Sequence, residues 1–134
     1  MELCEYEKVA INTEADILTA RTAVRDVATV LGLGLSDVTR VVTAVSELAR
    51  NIVRYAGQGE MRYCVVTRDS RQGIEIVFID QGPGITDIDL AMTQGYSTSR
   101  SLGLGLPGAK RLMDQMNIES REGEGTIITV VKWI

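Results

Sequence analysis

The stretch MRYCVVTRDSRQGIEIVFIDQGPG, residues 61–84, contains two strand signals separated by a turn signal. Met61–Arg68 and Ile74–Asp80 are rich in β-branched and aromatic residues, and the polar segment Asp69–Gly73 lies between them. Such a pair, joined by a short glycine-containing loop, predicts an antiparallel hairpin. The second strand leads directly into a turn with two glycines, Asp80-Gln81-Gly82-Pro83-Gly84.

Two helices are predicted before this hairpin. Glu5–Asn12 alternates as a short strand does, Thr13 is a helix-capping residue, and Ala15–Leu31 follows with helical spacing. A second helix begins at the cap Ser36 and ends before Gly57. Its apolar residues recur at i, i+3, i+4 and i+7, which predicts a buried stripe made of Val38, Val41, Val42, Val45, Leu48, Ala49, Ile52 and Ala56.

A long glycine-rich segment follows the hairpin. Gln81–Leu106 is loop-like, with one helical turn predicted at Ile88–Met92, and a loop of this length in a compact domain is usually functional. Pro107 then opens a third helix that is predicted to run to Met116. Asn117–Arg121 and Thr126–Ile134 form a second predicted hairpin.

The order of these elements predicts the fold class. Helices and strands alternate without regular βαβ units, so we expect an α/β protein built as a two-layer sandwich. Its sheet should be mixed and mostly antiparallel, with the helices on one face. A length of 134 residues, with 45% apolar and 24% charged residues, suits one globular domain covering residues 1–134.

Charge and composition exclude several functions. The net charge of −4 repels polyanions, which disfavours nucleic acid as a partner, and a protein or nucleotide is the better expectation. No stretch approaches the ~20 apolar residues of a membrane span, so we expect a cytoplasmic protein without a membrane partner. The chain contains no histidine, so a proton acceptor at neutral pH must be another group, such as a carboxylate.

Glu47 and Asn51 are the first candidate site. They lie four residues apart on the second predicted helix, so they share a face roughly opposite the valine stripe. One interpretation is an ordinary solvated face, because Arg50 and Arg54 lie on the same side. The other is a phosphoryl-transfer site, in which Asn51 offers a neutral oxygen to Mg²⁺ and Glu47 polarises a nucleophile.

Asp80 and the turn after it are the second candidate. Gly82 and Gly84 allow a ligand to approach the backbone closely, and the strand-end carboxylate can accept a hydrogen bond from an exocyclic adenine amine. A plain turn after a strand would use the same residue types. The motif alone does not separate the two interpretations.

The segment Gly103-Leu104-Gly105-Leu106-Pro107-Gly108 matches G-x-G-x-x-G. It does not follow a predicted strand, and no βαβ unit surrounds it, so a dinucleotide-binding fold is disfavoured. The chain also lacks the G-K-[ST] of a phosphate-binding P-loop. Glycines before a helix still present free N–H groups to phosphate.

Taken in order, these motifs resemble a known family. Glu47 with Asn51, then Asp80-x-Gly82-x-Gly84, Gly103-x-Gly105 and Gly125-Thr126 are similar to the four conserved boxes of the GHKL ATPase superfamily, which includes type II topoisomerases, MutL and histidine kinases. The match extends over nearly the whole chain. The run Ser46–Ile52 is close to that of the RsbT-type switch kinases, relatives of the anti-sigma factor kinases. The resemblance implies a Bergerat-type ATP-binding fold and protein serine/threonine kinase activity.

The resemblance also implies roles for the candidate residues at the adenine. Asp80 would bind the adenine amine, and Thr126 would assist through water. Gly82 and Gly84 would shape the adenine pocket.

At the phosphates, the resemblance implies that Asn51 binds Mg²⁺ and that Glu47 is the base for a substrate hydroxyl. A lid at Gly95–Leu106 would cover the phosphates. For Arg100, a solvated loop cation is an equal alternative. The implied lid contacts come from Ser97, Thr98, Arg100 and the amides of Gly103, Leu104, Gly105 and Leu106.

The implied partners are proteins. Histidine kinases act on a histidine, which this chain lacks, so a partner would be phosphorylated in trans on Ser or Thr. By resemblance, that partner is a STAS-domain antagonist or stressosome scaffold protein, and a PP2C-type phosphatase is activated afterwards. Arg21 would contact the partner, although Arg21 and Arg25 at i, i+4 spacing also suit a solvated face. An anti-sigma or regulatory module with a structural nucleotide is the alternative function.

Overall fold

The computed structural model describes residues 5–84 and 106–134. We number the elements within these residues. Their bounds are β1 (Glu7–Ile11), α1 (Glu14–Leu31), α2 (Leu35–Asn51), a π turn (Ile52–Ala56), β2 (Gly59–Arg68), β3 (Arg71–Asp80), α3 (Leu106–Leu112), β4 (Gln115–Arg121) and β5 (Gly125–Trp133). No helix in these two ranges has the length and apolar character needed to cross a membrane.

The strands form one sheet in the order β1-β2-β3-β5-β4. All four pairings between neighbouring described strands are antiparallel. The predicted α/β class, with a largely antiparallel sheet and helices on one face, is confirmed. The parallel component implied by a mixed sheet does not occur among the described strands.

The β2–β3 hairpin is tighter than the sequence predicts. Its strands extend to Arg68 and Arg71, so the connection is the two-residue turn Asp69-Ser70, and both of these residues have positive φ. That backbone matches the right-handed twist of the flanking strands. Gly73, predicted to lie in the loop, is instead in β3, where a Cβ atom would lie 2.6 Å from the Trp133 indole.

The hydrophobic core lies between the helices and one face of the sheet. Val41, Val45 and Leu48 of the predicted α2 stripe are fully buried and belong to the same core cluster as Ile76 and Phe78 of β3. Burying a side chain of this size contributes roughly 1.5–3 kcal/mol. This shared core holds α2 over the sheet, and it therefore determines where the polar side chains at the end of α2 lie.

The helix ends agree in part with the prediction. Thr13 caps α1, and the Asp16 carboxylate accepts the backbone N–H groups of Asn12 and Thr13 at 2.8 and 3.0 Å. Helix α2 begins at Leu35 with Gly34 as its N-cap, so the predicted cap Ser36 lies inside the first turn.

Helix α3 ends at Leu112 and not at Met116. The backbone N–H of Asp114 donates to the Val131 carbonyl at 3.0 Å, and Met116 pairs with Val130 in β4. Pairing with β5 therefore replaces the last predicted turn of this helix.

Lys132 of β5 is a buried cation close to the C-terminal end of α3. Its Nζ lies 3.4 Å from Asp114 Oδ1, 3.4 Å from the Leu112 carbonyl oxygen and 3.7 Å from Asp37 Oδ1. These contacts connect β5 with the first turn of α2 and with the turn between α3 and β4.

Candidate functional site

The end of β3 forms the floor of the candidate site. The Asp80 carboxylate accepts hydrogen bonds from the backbone N–H of Gly82, at 2.9 Å, and from that of Thr126. Burial raises the pKa of Asp80 above its ordinary value, and the two N–H donors lower it by less. An ionised carboxylate has about four acceptor sites, so Asp80 can also accept from a ligand N–H.

Two positions of the turn after Asp80, Gly82 and Gly84, leave no room for a side chain. A Cβ atom on Gly82 would lie 2.7 Å from the Ala56 Cβ atom. Gly84 has a φ of +78°, and a Cβ atom there would overlap the Arg121 carbonyl oxygen. The Pro83 carbonyl accepts the backbone N–H of Gly123 at 2.7 Å. The turn is thus held between the π turn and the β4–β5 hairpin.

The β4–β5 hairpin brings Thr126 opposite Asp80 in the sheet register. Gly125 has a φ of +86°, and a Cβ atom there would overlap the Asp80 carbonyl oxygen. Thr126 is buried, and its Oγ1 lies 2.8 Å from Ser120 Oγ. The Gly125-Thr126 motif therefore packs directly on the motif at the end of β3.

Ser120 is a residue of this site that no sequence motif identifies. A serine in an alternating strand is typical of an ordinary surface position, and it belongs to no motif. Its register opposite Thr126 is the signal that could have identified it, because the two hydroxyls face each other across the β4–β5 pair.

Asn51 is the last residue of α2, and the chain continues from it as a π turn. The N–H of Gly57 donates to the Ile52 carbonyl at 2.8 Å, which is an i to i+5 bond. This turn places two residues that the sequence analysis did not assign to the site, Tyr55 and Ala56. The cleft formed here is lined by Asn51, Tyr55, Ala56, Asp80, Pro83 and Thr126, among others.

Glu47 lies one turn before Asn51. Its Oε1 forms an ion pair with Arg50 Nη1 at 3.1 Å, and both side chains remain partly exposed. The structure thus brings Asn51 to Asp80 and Thr126, whereas Glu47 is not among the described residues that line their cleft. Arg50 is a neighbour of Glu47 that the sequence analysis treated only as a surface charge.

The predicted lid lies mainly outside the described residues. Ser97, Thr98, Arg100, Gly103, Leu104 and Gly105 all fall in that segment, as does the turn predicted at Ile88–Met92. Leu106 begins α3, and its side chain is fully buried in the core. Around Gly108, the last glycine of the G-x-G-x-x-G match, no described atom lies within 4 Å of an added Cβ.

Arg21 lies on α1 in a groove between α1 and α2. This groove is also lined by Arg25, Leu33, Leu35 and Val42. The Nε atom of Arg21 is buried and has no hydrogen-bond partner within the described ranges 5–84 and 106–134. Leu35 is 84% exposed, so an apolar residue and a cation with an unused donor share this groove.

The fold and the site together define a class of protein. An antiparallel sheet covered by helices on one face, with a strand-end aspartate, a two-glycine turn and a facing helical asparagine, is characteristic of an ATP-binding ATPase domain. The model of the family described as histidine kinase-like ATPase domain matches residues 11–132. The chain belongs to that family and uses ATP.

Several proteins of known function are similar in sequence. The chain is 51% identical over 126 residues to the serine/threonine-protein kinase RsbT of Bacillus subtilis, a match covering 94% of this chain and 95% of that protein. It is 30% identical over 121 residues to the anti-sigma F factor of Caldanaerobacter subterraneus subsp. tengcongensis, covering 86% of this chain and 83% of that protein.

Solved structures agree on the fold. The RsbU and RsbW domains of a Mycobacterium tuberculosis protein align with a TM-score of 0.66 at 18% identity, covering 96% of this chain and 32% of that one. This chain thus spans about a third of that structure. The SiaB-SiaC complex from Pseudomonas aeruginosa aligns with a TM-score of 0.54 at 12% identity, covering 98% of this chain and 89% of that one.

Proposed function

We propose that residues 1–134 form a single protein serine/threonine kinase domain of a partner-switching signalling system. It transfers the γ-phosphoryl group of ATP to a Ser or Thr of a second protein. The observation that carries this proposal is the cleft shared by Asn51, Asp80 and Thr126. In it, Asp80 can accept a hydrogen bond from a base, and Asn51 can offer an oxygen ligand to a metal ion. The extensive similarity to RsbT supports the kinase activity.

The adenine binds at the end of β3. Asp80 accepts a hydrogen bond from the exocyclic amine of adenine. Thr126 accepts a hydrogen bond from a water molecule that is bound to the same base. The two backbone donors on Asp80 fix the orientation of its carboxylate. Gly82 and Gly84 let the turn pack closely against Ala56 and the Arg121 carbonyl, and this packing keeps the Asp80 carboxylate in place at the end of β3.

Asn51 fits a Mg²⁺ ion at the phosphate end of the cleft. Its amide oxygen is a neutral hard ligand, and Mg²⁺ usually takes one or two protein oxygens together with phosphate oxygens and water. When bound, Mg²⁺ neutralises charge on the phosphate oxygens. Asn51, at the junction of α2 and the π turn, lines the same cleft as Asp80, which supports this assignment.

Glu47 accepts the proton of the substrate hydroxyl. The hydroxyl oxygen forms a bond to the γ-phosphorus, the bond from that phosphorus to the bridging oxygen breaks, and its electron pair remains on ADP. The proton moves to the Glu47 carboxylate. Arg50 holds Oε1 of this carboxylate, so the other oxygen is the acceptor. A positioned base of this kind contributes ~10²–10⁴-fold to the rate.

The partner is a STAS-domain antagonist or scaffold protein, and a PP2C-type phosphatase is activated after release. The groove at Arg21 supports this part of the proposal. A carboxylate on the partner would pair with the Arg21 guanidinium in the groove, and an apolar side chain would cover the exposed Leu35. Truncation of an arginine anchor of this kind costs ~2 kcal/mol or more in binding.

A binding module with a structural nucleotide is the second candidate. The 30% identity to an anti-sigma F factor favours it, because that name describes action against a sigma factor and no phosphoryl transfer. The two candidates differ at Glu47. A carboxylate next to the phosphates is needed for transfer, whereas a structural nucleotide does not require it.

Transfer of labelled γ-phosphate from ATP to purified STAS-domain proteins tests the proposal. We expect Mg²⁺-dependent labelling of one such protein, and Glu47→Gln should lower the rate ~10²-fold or more with ATP affinity unchanged. The exposed Glu14→Gln on α1 is the matched control and should keep the wild-type rate. Labelling that is equally fast in Glu47→Gln and wild type would remove Glu47 from the reaction, and no labelling with bound ATP would favour the structural nucleotide.

Asn51→Ala tests the metal ligand separately. We expect it to weaken nucleotide binding in Mg²⁺, and this loss should disappear in EDTA because the amide then has no ion to bind. Equal affinities of wild type and Asn51→Ala for ATP in Mg²⁺ would contradict the assignment.

A further inference from the structure

The hydroxyls of Ser120 and Thr126 form a hydrogen-bonded chain that reaches the Gly125 carbonyl. Ser120 Oγ lies 3.0 Å from the Gly125 carbonyl oxygen and 2.8 Å from Thr126 Oγ1. A carbonyl oxygen only accepts, so a hydrogen bond to Gly125 takes the single proton of Ser120. The geometry allows either hydroxyl to donate across the 2.8 Å contact, and when Ser120 donates to Gly125 it is Thr126 that donates to Ser120.

That arrangement decides what Thr126 presents to the cleft. With its proton bound to Ser120, Thr126 Oγ1 presents only lone pairs. The neighbouring Asp80 carboxylate, when ionised, is also an acceptor only, and both residues line the same cleft. This wall of the cleft is thus uniformly an acceptor of hydrogen bonds.

We infer that Ser120 is a specificity-determining residue that makes the cleft select a base with an exocyclic amine over a base with a carbonyl oxygen at that position. The inference rests on the proposed nucleotide site. An amine donates to the acceptor wall, directly or through water, whereas a carbonyl oxygen would face oxygens that offer it no proton. Ser120 acts through Thr126 and needs no contact with the base.

Loss of the Ser120 hydroxyl has an asymmetric consequence. Without its acceptor, the Thr126 proton can turn toward the cleft. Thr126 can then donate to a carbonyl oxygen or to its water, and it competes less well for an amine. Affinity for the amine base falls and affinity for the carbonyl base rises. A residue with a merely structural role would change both affinities in the same direction.

Binding of ATP and inosine triphosphate to wild type and Ser120→Ala tests this inference. Inosine triphosphate carries a carbonyl oxygen where adenine has its amine. Sites built around a buried hydrogen bond reject an analogue that lacks it by up to ~10⁴–10⁵-fold, and we expect wild type to prefer ATP by ~10²-fold or more. Ser120→Ala should reduce that preference ~10-fold, corresponding to ~1.4 kcal/mol.

Two further variants make the result decisive. Ser120→Thr keeps the hydroxyl and should retain the wild-type preference within about twofold, because the hydroxyl chain is preserved. Ser120→Cys preserves the volume with a weak donor and acceptor, so it should lower the preference even if the alanine variant does not fold. Circular dichroism monitors folding in each case.

An unchanged ratio of the two affinities in folded Ser120→Ala and Ser120→Cys would overturn the inference while leaving the nucleotide site intact. Parallel weakening of both nucleotides would also overturn it. Failure of wild type to bind either nucleotide would overturn the site itself, and the inference with it.

Discussion

Gly82 has no room for a methyl group, and this makes Gly82→Ala a sensitive probe of the site. The added Cβ would lie 2.7 Å from the Ala56 Cβ atom and 2.9 Å from the Ala56 Cα atom. Non-bonded carbons prefer a separation of about 3.5–4.0 Å, so the turn and the π turn must move apart by about 1 Å. Gly82 also donates its N–H to Asp80, so this displacement reaches the base-binding carboxylate.

The expected effect follows from that distance. A misplacement of about 1 Å can cost ~10²-fold in a positioned site, and overpacking of this kind costs ~1–3 kcal/mol of stability. We therefore expect Gly82→Ala to fold with a lowered melting temperature and to bind ATP with a dissociation constant raised ~10²-fold, corresponding to ~2.7 kcal/mol. Isothermal titration calorimetry and circular dichroism measure the two quantities.

Gly108→Ala is the matched control, because the chemical change is the same. No described atom lies within 4 Å of its added Cβ, and the residue lies inside α3. Replacing a helical glycine by alanine in a compatible conformation stabilises a protein by ~0.4–1 kcal/mol. Its ATP affinity should equal that of wild type. Wild-type affinity in Gly82→Ala would refute the placement of the ligand against this turn.

Three other perturbations have defined outcomes. Burial raises the pKa of Asp80, so the free energy of unfolding should fall as pH rises through that pKa. ATP binding should improve over the same pH range, because the ionised carboxylate is the acceptor. In urea titrations, Asp80→Asn should abolish this pH-dependent fall in the free energy of unfolding. Arg21→Ala should weaken STAS-protein binding by ~2 kcal/mol with ATP affinity unchanged, measured by calorimetry with each ligand, and unaltered partner affinity would make this helix face an ordinary surface. Lys132→Met keeps the buried stem and lets its partly exposed acidic partners rehydrate, so it should cost ~1 kcal/mol or less; a loss above ~3 kcal/mol in urea unfolding would mean that the charge itself is essential.

The strands and the two long helices could be predicted because their signals are local. The alternation in β2 and β3 and the valine stripe of α2 follow the periods of strand and helix. The hairpin loop was predicted too long because Gly73 is a turn-forming residue type. Its actual constraint is the indole of Trp133 on β5, far away in sequence.

Other features of the site depend on contacts that no local pattern encodes. The π turn after Asn51 continues the apolar spacing of α2, so an ordinary helix was predicted through Ala56. The importance of Ser120 arises only from the register between β4 and β5. The buried state of Lys132 likewise depends on acidic residues from two other parts of the chain.

Asp80, Gly82, Gly84 and Thr126 were assigned to the site because the ordered set of motifs resembles the GHKL family, whereas the turn motif alone would also suit a plain turn. Only the three-dimensional contacts show why each of these positions requires glycine. Gly84 and Gly125 have positive φ and lie against backbone carbonyls, whereas Gly108 meets no such constraint among the described residues.

Titration of ATP and Mg²⁺ into wild type and Asp80→Asn tests the adenine site most directly. The substitution keeps the size of the side chain, but the amide offers one oxygen in place of two and removes the charge. We predict that wild type binds ATP and that Asp80→Asn, with an unchanged circular dichroism spectrum, binds ~10²-fold or more weakly. Equal affinity of the two proteins would contradict the assignment of the end of β3 as the adenine site.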